Sequence, residues 1–355
     1  MENLLHVGFA LFLLFAIVTA CTVFTNAVEW LGHRLNLSEG VVGSLFAAVG
    51  TALPETLVPI IALVSGLVAG SGISAESSHE IGVGAILGAP FMLATLAMLV
   101  TSLGVLFAVW QGKRDLTLRI NPQLYLFDMR YFLVAFGMGI GASFLPAHSW
   151  LRWVVALLLL AVYLRYVLVL LRHEDPSIET AEETNLHALY LAPKVAEPQL
   201  PIIYTQVGLG LLGIMVAAHF FVHEVQTLSQ LWHIPAFILS LIIIPIATEL
   251  PEKFNSVMWV QEKKDQLALG NLTGAMVFQS CIPMAIGVAF TPWVLDSSAW
   301  LSVVITLISV GVMMATVRYC SPRWWFAVML GGGLGYLGFV LWILLTPHTV
   351  TTLPH

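Results

Sequence analysis

Three glutamates lie where the sequence offers almost no other charge. Glu55, Glu249 and Glu252 each fall inside an apolar run of the kind that crosses a bilayer. An ionisable side chain at the centre of such a helix costs roughly 2.5–3.5 kcal/mol, so three of them facing lipid would cost on the order of 10 kcal/mol. These carboxylates must therefore face a partner, water or an ion.

Prolines add backbone oxygens beside two of these carboxylates. Pro54 directly precedes Glu55, and Pro251 directly precedes Glu252. Because proline has no N–H, it leaves a carbonyl one turn earlier without its helical partner. Carboxylates beside free carbonyls are hard oxygen ligands, which suit Ca²⁺ or Na⁺.

Glu249 and Glu252 form a close pair of like charges. They are three residues apart, so any remaining helix puts them on one side. Two carboxylates that close hold a proton or a cation between them. Lys253 could neutralise one of them, but in a regular helix it points about 100° away from Glu252. A cation site is one interpretation, and a proton-paired structural cluster is the other.

Further along the chain, Asn271 follows Gly270 and offers one neutral oxygen. Glycines four residues apart let helices approach closely, and they occur at Gly84, Gly88, Gly270 and Gly274. The dipeptide His223-Glu224 is not an H-E-x-x-H zinc motif. The sequence shows no nucleophile–base pair, so an enzyme is not expected.

The elements that must position these residues are membrane spans. The 355 residues are 59% hydrophobic and only 10% charged, against about 25% charged in a soluble domain. The first span has no basic residue before it and is expected to be a permanent helix, not a signal peptide. We predict an all-α integral membrane protein with ten spans, at residues 4–28, 37–63, 81–110, 131–144, 150–171, 202–225, 235–260, 267–290, 300–317 and 324–345.

Basic residues test this count independently. They concentrate in every second connection, beginning with Arg34 after the first span. Since basic loops stay in the cytoplasm, this pattern predicts ten helices with both termini outside, in a cell (inner) membrane. No basic stripe or nucleic-acid motif is present, so the expected partners are the lipid bilayer and inorganic cations.

The chain divides into two halves that resemble each other. Residues 50–55 (G-T-A-L-P-E) align with residues 247–252 (A-T-E-L-P-E), and residues 81–89 align with residues 267–275. Five helices in each half would make the second copy enter the membrane inverted, as in transporters that bind substrate at the midplane. The predicted units are the first repeat at 1–172, a cytoplasmic linker at 173–200, and the inverted second repeat at 201–355.

Two G-T-S-L-P-E-like motifs, each followed by a G-N-x-x-G-S-N-like segment, resemble the sodium/calcium exchanger family. In that family the motif glutamates bind Ca²⁺ and Na⁺ alternately at one central site. The resemblance implies Glu55 and Glu252 as the principal ligands. It also implies oxygens from Thr51 and Thr248, with Asn271 as the polar ligand of the eighth span.

The motifs also depart from the family's pattern. The motif serine is Ala52 in one repeat and Glu249 in the other, and the third span carries Ala85, Ala89 and Pro90 where the pattern has Asn, Ser and Asn. The site is therefore asymmetric. It has fewer oxygens for several Na⁺ ions and one more titratable carboxylate, which favours coupling to H⁺.

These observations lead to one functional hypothesis and one alternative. The first is an antiporter that exchanges Ca²⁺, or a similar divalent cation, for Na⁺ or H⁺ by alternating access, without a cofactor. The alternative is a membrane cation-binding sensor or scaffold that does not transport, because the third span offers almost no side-chain oxygen.

Overall fold

A computed structural model of the chain describes residues 2–34, 53–67, 75–147, 149–173, 188–232 and 234–345. Within these ranges the secondary structure is helical, without strands. The α-helices are α1 (Glu2–Arg34), α2 (Leu53–Leu67), α3 (Ala75–Met92), α4 (Met98–Trp110), α5 (Pro122–Gly141), α6 (Trp150–His173), α7 (Leu200–Trp232), α8 (Ala236–Thr248), α9 (Leu250–Gln261), α10 (Asp265–Phe290), α11 (Ser297–Tyr319) and α12 (Pro322–Leu345). A π-helical turn, Leu93–Ala97, joins α3 to α4.

Among the described residues, eight helical segments are long and apolar enough to cross a bilayer. They are Asn3–Val28, Ala75–Trp110, Pro122–Phe144, Trp150–Leu170, Leu200–Trp232, Ala268–Phe290, Ser297–Tyr319 and Pro322–Ile343. Of two shorter apolar helices, Thr56–Gly66 overlaps the end of the second predicted span, and Ala236–Ile246 lies inside the seventh. The prediction of an all-α, multi-pass membrane protein is confirmed, and the inverted repeat stays a prediction.

The fourth predicted span was too short. It was expected to begin at residue 131, but α5 begins at Pro122. The Asn121 side chain accepts hydrogen bonds from the backbone N–H groups of Gln123 (2.9 Å) and Leu124 (3.4 Å), and Pro122 occupies the first helical position. This cap starts the helix two turns early, and it brings Asp128 into the helix bundle.

The seventh predicted span is divided at Glu249. Residue 249 has φ −92° and ψ 9°, between the end of α8 and the start of α9. Helical bonds still cross the break: Glu249 N–H donates to the Pro245 carbonyl (3.2 Å), and Lys253 N–H donates to the Glu249 carbonyl (3.1 Å). Because Pro251 has no N–H, the ladder is interrupted between these two bonds. The result is a kink rather than a loop.

The centre of the bundle is formed by α3 and α10, which are the most deeply buried of the long helices. Gly84 and Gly88 let α3 press against α8. A methyl group at Gly84 would lie 2.5 Å from the Phe237 carbonyl oxygen, and one at Gly88 would lie 2.8 Å from Pro245 Cγ. The expected close approach is therefore present at these two glycines. At Gly270 and Gly274 a methyl group would meet nothing closer than about 3.9–4.0 Å.

Outside this centre, α1 and α7 pack along each other. Each has 33 residues, or about 50 Å at 1.5 Å per residue, which exceeds a hydrocarbon core of about 30 Å and favours a tilted pair. Gln206 of α7 donates to Asn26 Oδ1 and to the Val23 carbonyl, both at 2.9 Å, and accepts from Leu191 N–H at 2.8 Å. The described end of the predicted linker is thus attached to α7, and Gln206 joins α7 to α1.

Candidate cation site

The predicted site residues fall at two corresponding places in the fold. Glu55 is the third residue of α2, and Glu252 is the third residue of α9. Their backbones are described, but their side chains lie outside the description, and Thr51 lies outside the described residues altogether. Both glutamates therefore follow a proline in the first turn of a helix, as the alignment of the two motifs predicts.

Glu249 is the described carboxylate at this place. It is fully buried, and its two oxygens have different neighbours. Oε2 lies 3.2 Å from the ammonium nitrogen of Lys253, and Oε1 accepts a hydrogen bond of 3.3 Å from Gln279 Nε2 of α10. Its negative charge is thus compensated by a residue of the same motif.

Lys253 pairs with the earlier glutamate of the motif. It lies four residues after Glu249, and the two helical bonds that cross the kink keep these side chains on one face. The ammonium group also donates to the Pro245 carbonyl at 3.1 Å. Lys253 is 6% exposed, so the whole cation is buried against a carboxylate and a backbone oxygen. Such a pair needs its additional hydrogen bonds to offset desolvation.

Thr248 and Asn271 are the other described residues of the predicted site. Thr248 is buried directly before Glu249, and its hydroxyl donates to the Ile244 carbonyl at 3.1 Å. Asn271 of α10 directs its amide nitrogen toward Ser256 Oγ at 3.5 Å. Ser256 is four residues after Glu252, which places both on one face of α9. The structure therefore brings Asn271 to the helix face that carries Glu252.

Two buried polar atoms near Glu249 have no hydrogen-bond partner in the part of the chain that the structure describes. One is Gln279 Oε1, and the other is the hydroxyl of Tyr336 in α12. Tyr336 is only 4% exposed and is close enough to interact electrostatically with Glu249. Buried polar atoms are almost always hydrogen-bonded, so unsatisfied ones indicate a place for water or an ion.

α3 and α10 differ in the polar side chains that they carry near the motif residues. Gly84 and Gly88 hold its backbone against α8, while Ala85 and Ala89 carry no side-chain oxygen. On the α10 side the side chains of Asn271 and Gln279 are polar. The two helices thus differ in the polar side chains that they carry.

A second polar cluster lies on a different face of α10. The buried carboxylate of Asp128 accepts hydrogen bonds from Thr273 Oγ1 (2.5 Å) and Tyr166 Oη (3.1 Å). Asp128 lies in the part of α5 that precedes the predicted fourth span. Its cluster belongs to the packing of α5 and α6 on α10, and it has no described contact with Glu249.

Sequence reasoning also missed Gln279 and Tyr336. Gln279 has a recognisable signal, since it is an amide in the middle of an apolar span, two turns after Asn271 and on a similar face. Tyr336 has no such signal, because tyrosines are frequent in membrane spans. Its position depends on how α12 packs against α4 and the π-helical turn, beside which its ring stacks on Phe91.

Comparison with known proteins gives consistent matches over most of the chain. The family model described as "Sodium/calcium exchanger protein" matches residues 5–172 and 203–345. The inner membrane protein YrbG of Escherichia coli is 23% identical over 306 residues, covering 85% of each chain. The putative antiporter CaxA of Alkalimonas amylolytica is 26% identical over 278 residues, covering 78% of each.

Solved structures share the fold at lower identity. The H⁺/Ca²⁺ exchanger CAX aligns with TM-score 0.66 and 17% identity, covering 97% of this chain and 82% of that one. The sodium–calcium exchanger NCX_Mj aligns with TM-score 0.56 and 18% identity, covering 97% and 100%.

Proposed function

The chain belongs to the sodium/calcium exchanger protein family, and we propose that it exchanges Ca²⁺, or a similar divalent cation, for Na⁺ or H⁺ by alternating access. This family consists of ion exchangers rather than enzymes. The observation that carries the proposal is the fully buried Glu249 at the kink between α8 and α9. It lies three residues before Glu252, whose counterpart Glu55 has the same position in α2.

In this proposal Glu55 and Glu252 are the principal ligands of the transported ion. Thr51, Thr248 and Asn271 supply neutral oxygens from the two motifs and from α10. Glu249 contributes the third carboxylate of the site, held by Lys253 and Gln279. Carboxylate, hydroxyl and amide oxygens are the ligand set that Ca²⁺ prefers.

The proposed membrane arrangement follows from the same residues. Ten spans form an exchanger repeat at 1–172 and an inverted repeat at 201–355, joined by a cytoplasmic linker at 173–200. The shorter apolar helices described in the second and seventh spans supply the two spans beyond the eight long ones. Basic residues in alternate loops support a cell membrane location with both termini outside.

A second candidate is a cation-binding membrane protein without transport. It is favoured by the wall at α3, where Ala85 and Ala89 offer no side-chain oxygen to a site that must release and rebind several ions. Such a protein would bind Ca²⁺ but would not move it against a counter-ion gradient.

The test is ⁴⁵Ca²⁺ uptake into proteoliposomes, driven separately by an outward Na⁺ gradient and by a pH gradient. We expect uptake under at least one gradient, and its loss in Glu252→Gln. The matched control is Glu262→Gln, because Glu262 lies just after α9 beside Lys264, half exposed and remote from the kink. Binding of Ca²⁺ without uptake under either gradient would favour the sensor. Neither binding nor uptake by folded protein would contradict both candidates.

A further inference from the structure

An arginine lies in the lipid-facing surface of α6. This helix is the least buried of the eight long spans, and Arg165 is one of its exposed residues. Arg165 lies five residues before the end of the span at Leu170, or about 7.5 Å along the helix axis at 1.5 Å per residue. A charged side chain at this place is costly unless it finds a partner or reaches the membrane interface.

The described part of the protein supplies one hydrogen bond to this arginine. Its Nε–H donates to the Tyr131 hydroxyl of α5 at 3.3 Å. The described ion pairs do not include Arg165. Asp128, three residues before Tyr131 in α5, accepts hydrogen bonds from Thr273 and Tyr166 instead. The two Nη groups of Arg165, with four N–H donors, therefore have no partner among the described residues.

Tyr131 indicates the depth of this guanidinium group in the membrane. The apolar stretch of α5 begins at residue 131, directly after the exposed Arg130. Tyrosines are enriched where the hydrocarbon core meets the lipid headgroups. The hydrogen bond to Tyr131 therefore holds the charged end of Arg165 at the level of the headgroups. The anion that a bilayer offers at this level is the phosphate of its lipids.

We propose that Arg165 and Tyr131 bind the phosphate group of an anionic phospholipid. The planar fork of an arginine matches two phosphate oxygens. The Tyr131 hydroxyl, which accepts from Nε, still has its own proton to donate to a third oxygen. Because the described surroundings of Arg165 include no acidic partner, the site favours a headgroup with net negative charge over a zwitterionic one. The proposal depends on the membrane position of α6 and not on cation exchange.

The surface beside Arg165 fits an acyl chain of the same lipid. A shallow recess of about 370 Å³ runs along one side of α6, lined by Ala161, Leu164, Arg165, Leu168 and Val169. Leu164 is 60% exposed and Leu168 is 46% exposed, so the recess is continuous with the lipid-facing surface. The small side chain of Ala161 leaves room one turn before Arg165. An acyl chain thus passes from the phosphate toward the middle of the bilayer beside Ala161.

Native mass spectrometry of the detergent-solubilised protein, titrated with phosphatidylglycerol or with phosphatidylcholine, measures the affinity for the first bound lipid. We expect the wild type to prefer phosphatidylglycerol. Arg165→Met should weaken its binding about tenfold, because hydrogen bonds to a charged group are lost. Tyr131→Phe should weaken it less, since the guanidinium group remains. The matched control is Arg323→Met, which removes an exposed arginine at the start of α12 and should keep the wild-type affinity.

Equal affinities of the wild type and Arg165→Met for phosphatidylglycerol would overturn the proposal. An equal loss in Arg323→Met would do the same, because lipid binding would then follow net charge alone. Wild-type protein that binds phosphatidylcholine as tightly contradicts the anionic headgroup, and displacement of the lipid by inorganic phosphate contradicts a lipid site. If Arg165→Met loses the wild-type size-exclusion profile, unchanged lipid affinity in Tyr131→Phe overturns the site. None of these results bears on ⁴⁵Ca²⁺ uptake, so the proposed exchange is tested separately.

Discussion

Arg114 donates to both carboxylate oxygens of Asp265, at 2.5 and 2.8 Å, and this ion pair joins the loop after α4 to the first turn of α10. Both side chains are buried, and Arg114 also donates to the carbonyls of Val260 and Thr117. Asp265 accepts a further hydrogen bond from Arg119 N–H at 2.7 Å. The sequence identified Arg114 only as one of the basic residues of a cytoplasmic loop. The structure shows that it connects the loop to the ends of α9 and α10.

Replacing Arg114 with methionine should strongly destabilise the protein. The change leaves the Asp265 carboxylate buried without its cation, and breaking a buried pair from one side costs about 3–5 kcal/mol. Thermal unfolding in detergent should show a clearly lower melting temperature. Lys113→Met is the matched control, because Lys113 is the adjacent basic residue and its side chain is exposed. Equal melting temperatures for the two variants would contradict a stabilising role for the pair.

Two glycines in corresponding positions should respond differently to alanine. In Gly88→Ala the new methyl group would meet the Leu241 carbonyl oxygen and Pro245 Cγ, so α3 and α8 must separate. In Gly274→Ala the nearest atom is the Tyr166 hydroxyl at 3.9 Å, an ordinary contact.

We therefore expect Gly88→Ala to lower the melting temperature and to reduce driven ⁴⁵Ca²⁺ uptake severalfold, because the kink at Glu249 lies directly after the displaced part of α8. Gly274→Ala should match the wild type in both measurements. If both variants lost similar amounts of melting temperature and of uptake, the difference in packing between Gly88 and Gly274 would be contradicted.

Much of the fold could be predicted because it depends on local chemistry. Apolar length marks the long helices, and Pro251 marks the break in the seventh span. The internal alignment predicts that Glu55 and Glu252 share a position in their helices, and they do. These features need no knowledge of which helices meet.

The contacts of the site could not be predicted in the same way. The sequence left open which of Glu249 and Glu252 Lys253 would neutralise. Backbone bonds across the kink preserve the four-residue spacing that pairs it with Glu249. Gln279 reaches that carboxylate only because α10 packs beside α9. Asp128 lies before residue 131, where the fourth span was predicted to begin, and its partners come from two other helices.

The Asp128 cluster leads to a prediction about stability rather than transport. Tyr166→Phe removes the hydroxyl that donates to Asp128 Oδ1 while it keeps the ring, which stacks on Phe127. A buried acceptor that loses its donor costs about 1–3 kcal/mol, so the melting temperature should fall. Tyr163→Phe is the control, because its ring packs edge-on against Phe278 rather than beside the carboxylate. A larger loss in Tyr163→Phe than in Tyr166→Phe would contradict this assignment.

Changing Asn271 to aspartate should strengthen binding of divalent ions. Asn271 lies beside Ser256, on the face of α9 that carries Glu252, so the substitution adds a negative charge next to a proposed ligand. At an effective dielectric constant of about 20, one charge about 4 Å from another contributes about 4 kcal/mol, and after desolvation a gain of at least about tenfold in affinity is expected. Calorimetric titration of the detergent-solubilised protein with Ca²⁺, in buffer without Na⁺, measures the gain.

The matched control for this change is Gln266→Glu, which adds the same charge to the first turn of α10. Its side-chain oxygen already accepts a hydrogen bond from Asn121 N–H at 2.6 Å, so a carboxylate can replace it in place, more than one helical turn before Asn271. The control should leave Ca²⁺ affinity close to that of the wild type, while Asn271→Leu should weaken it. An equal gain in Ca²⁺ affinity in Asn271→Asp and Gln266→Glu would show that the added negative charge acts at long range and not by contact with the ion. Asn271 would then have no place in the ligand shell.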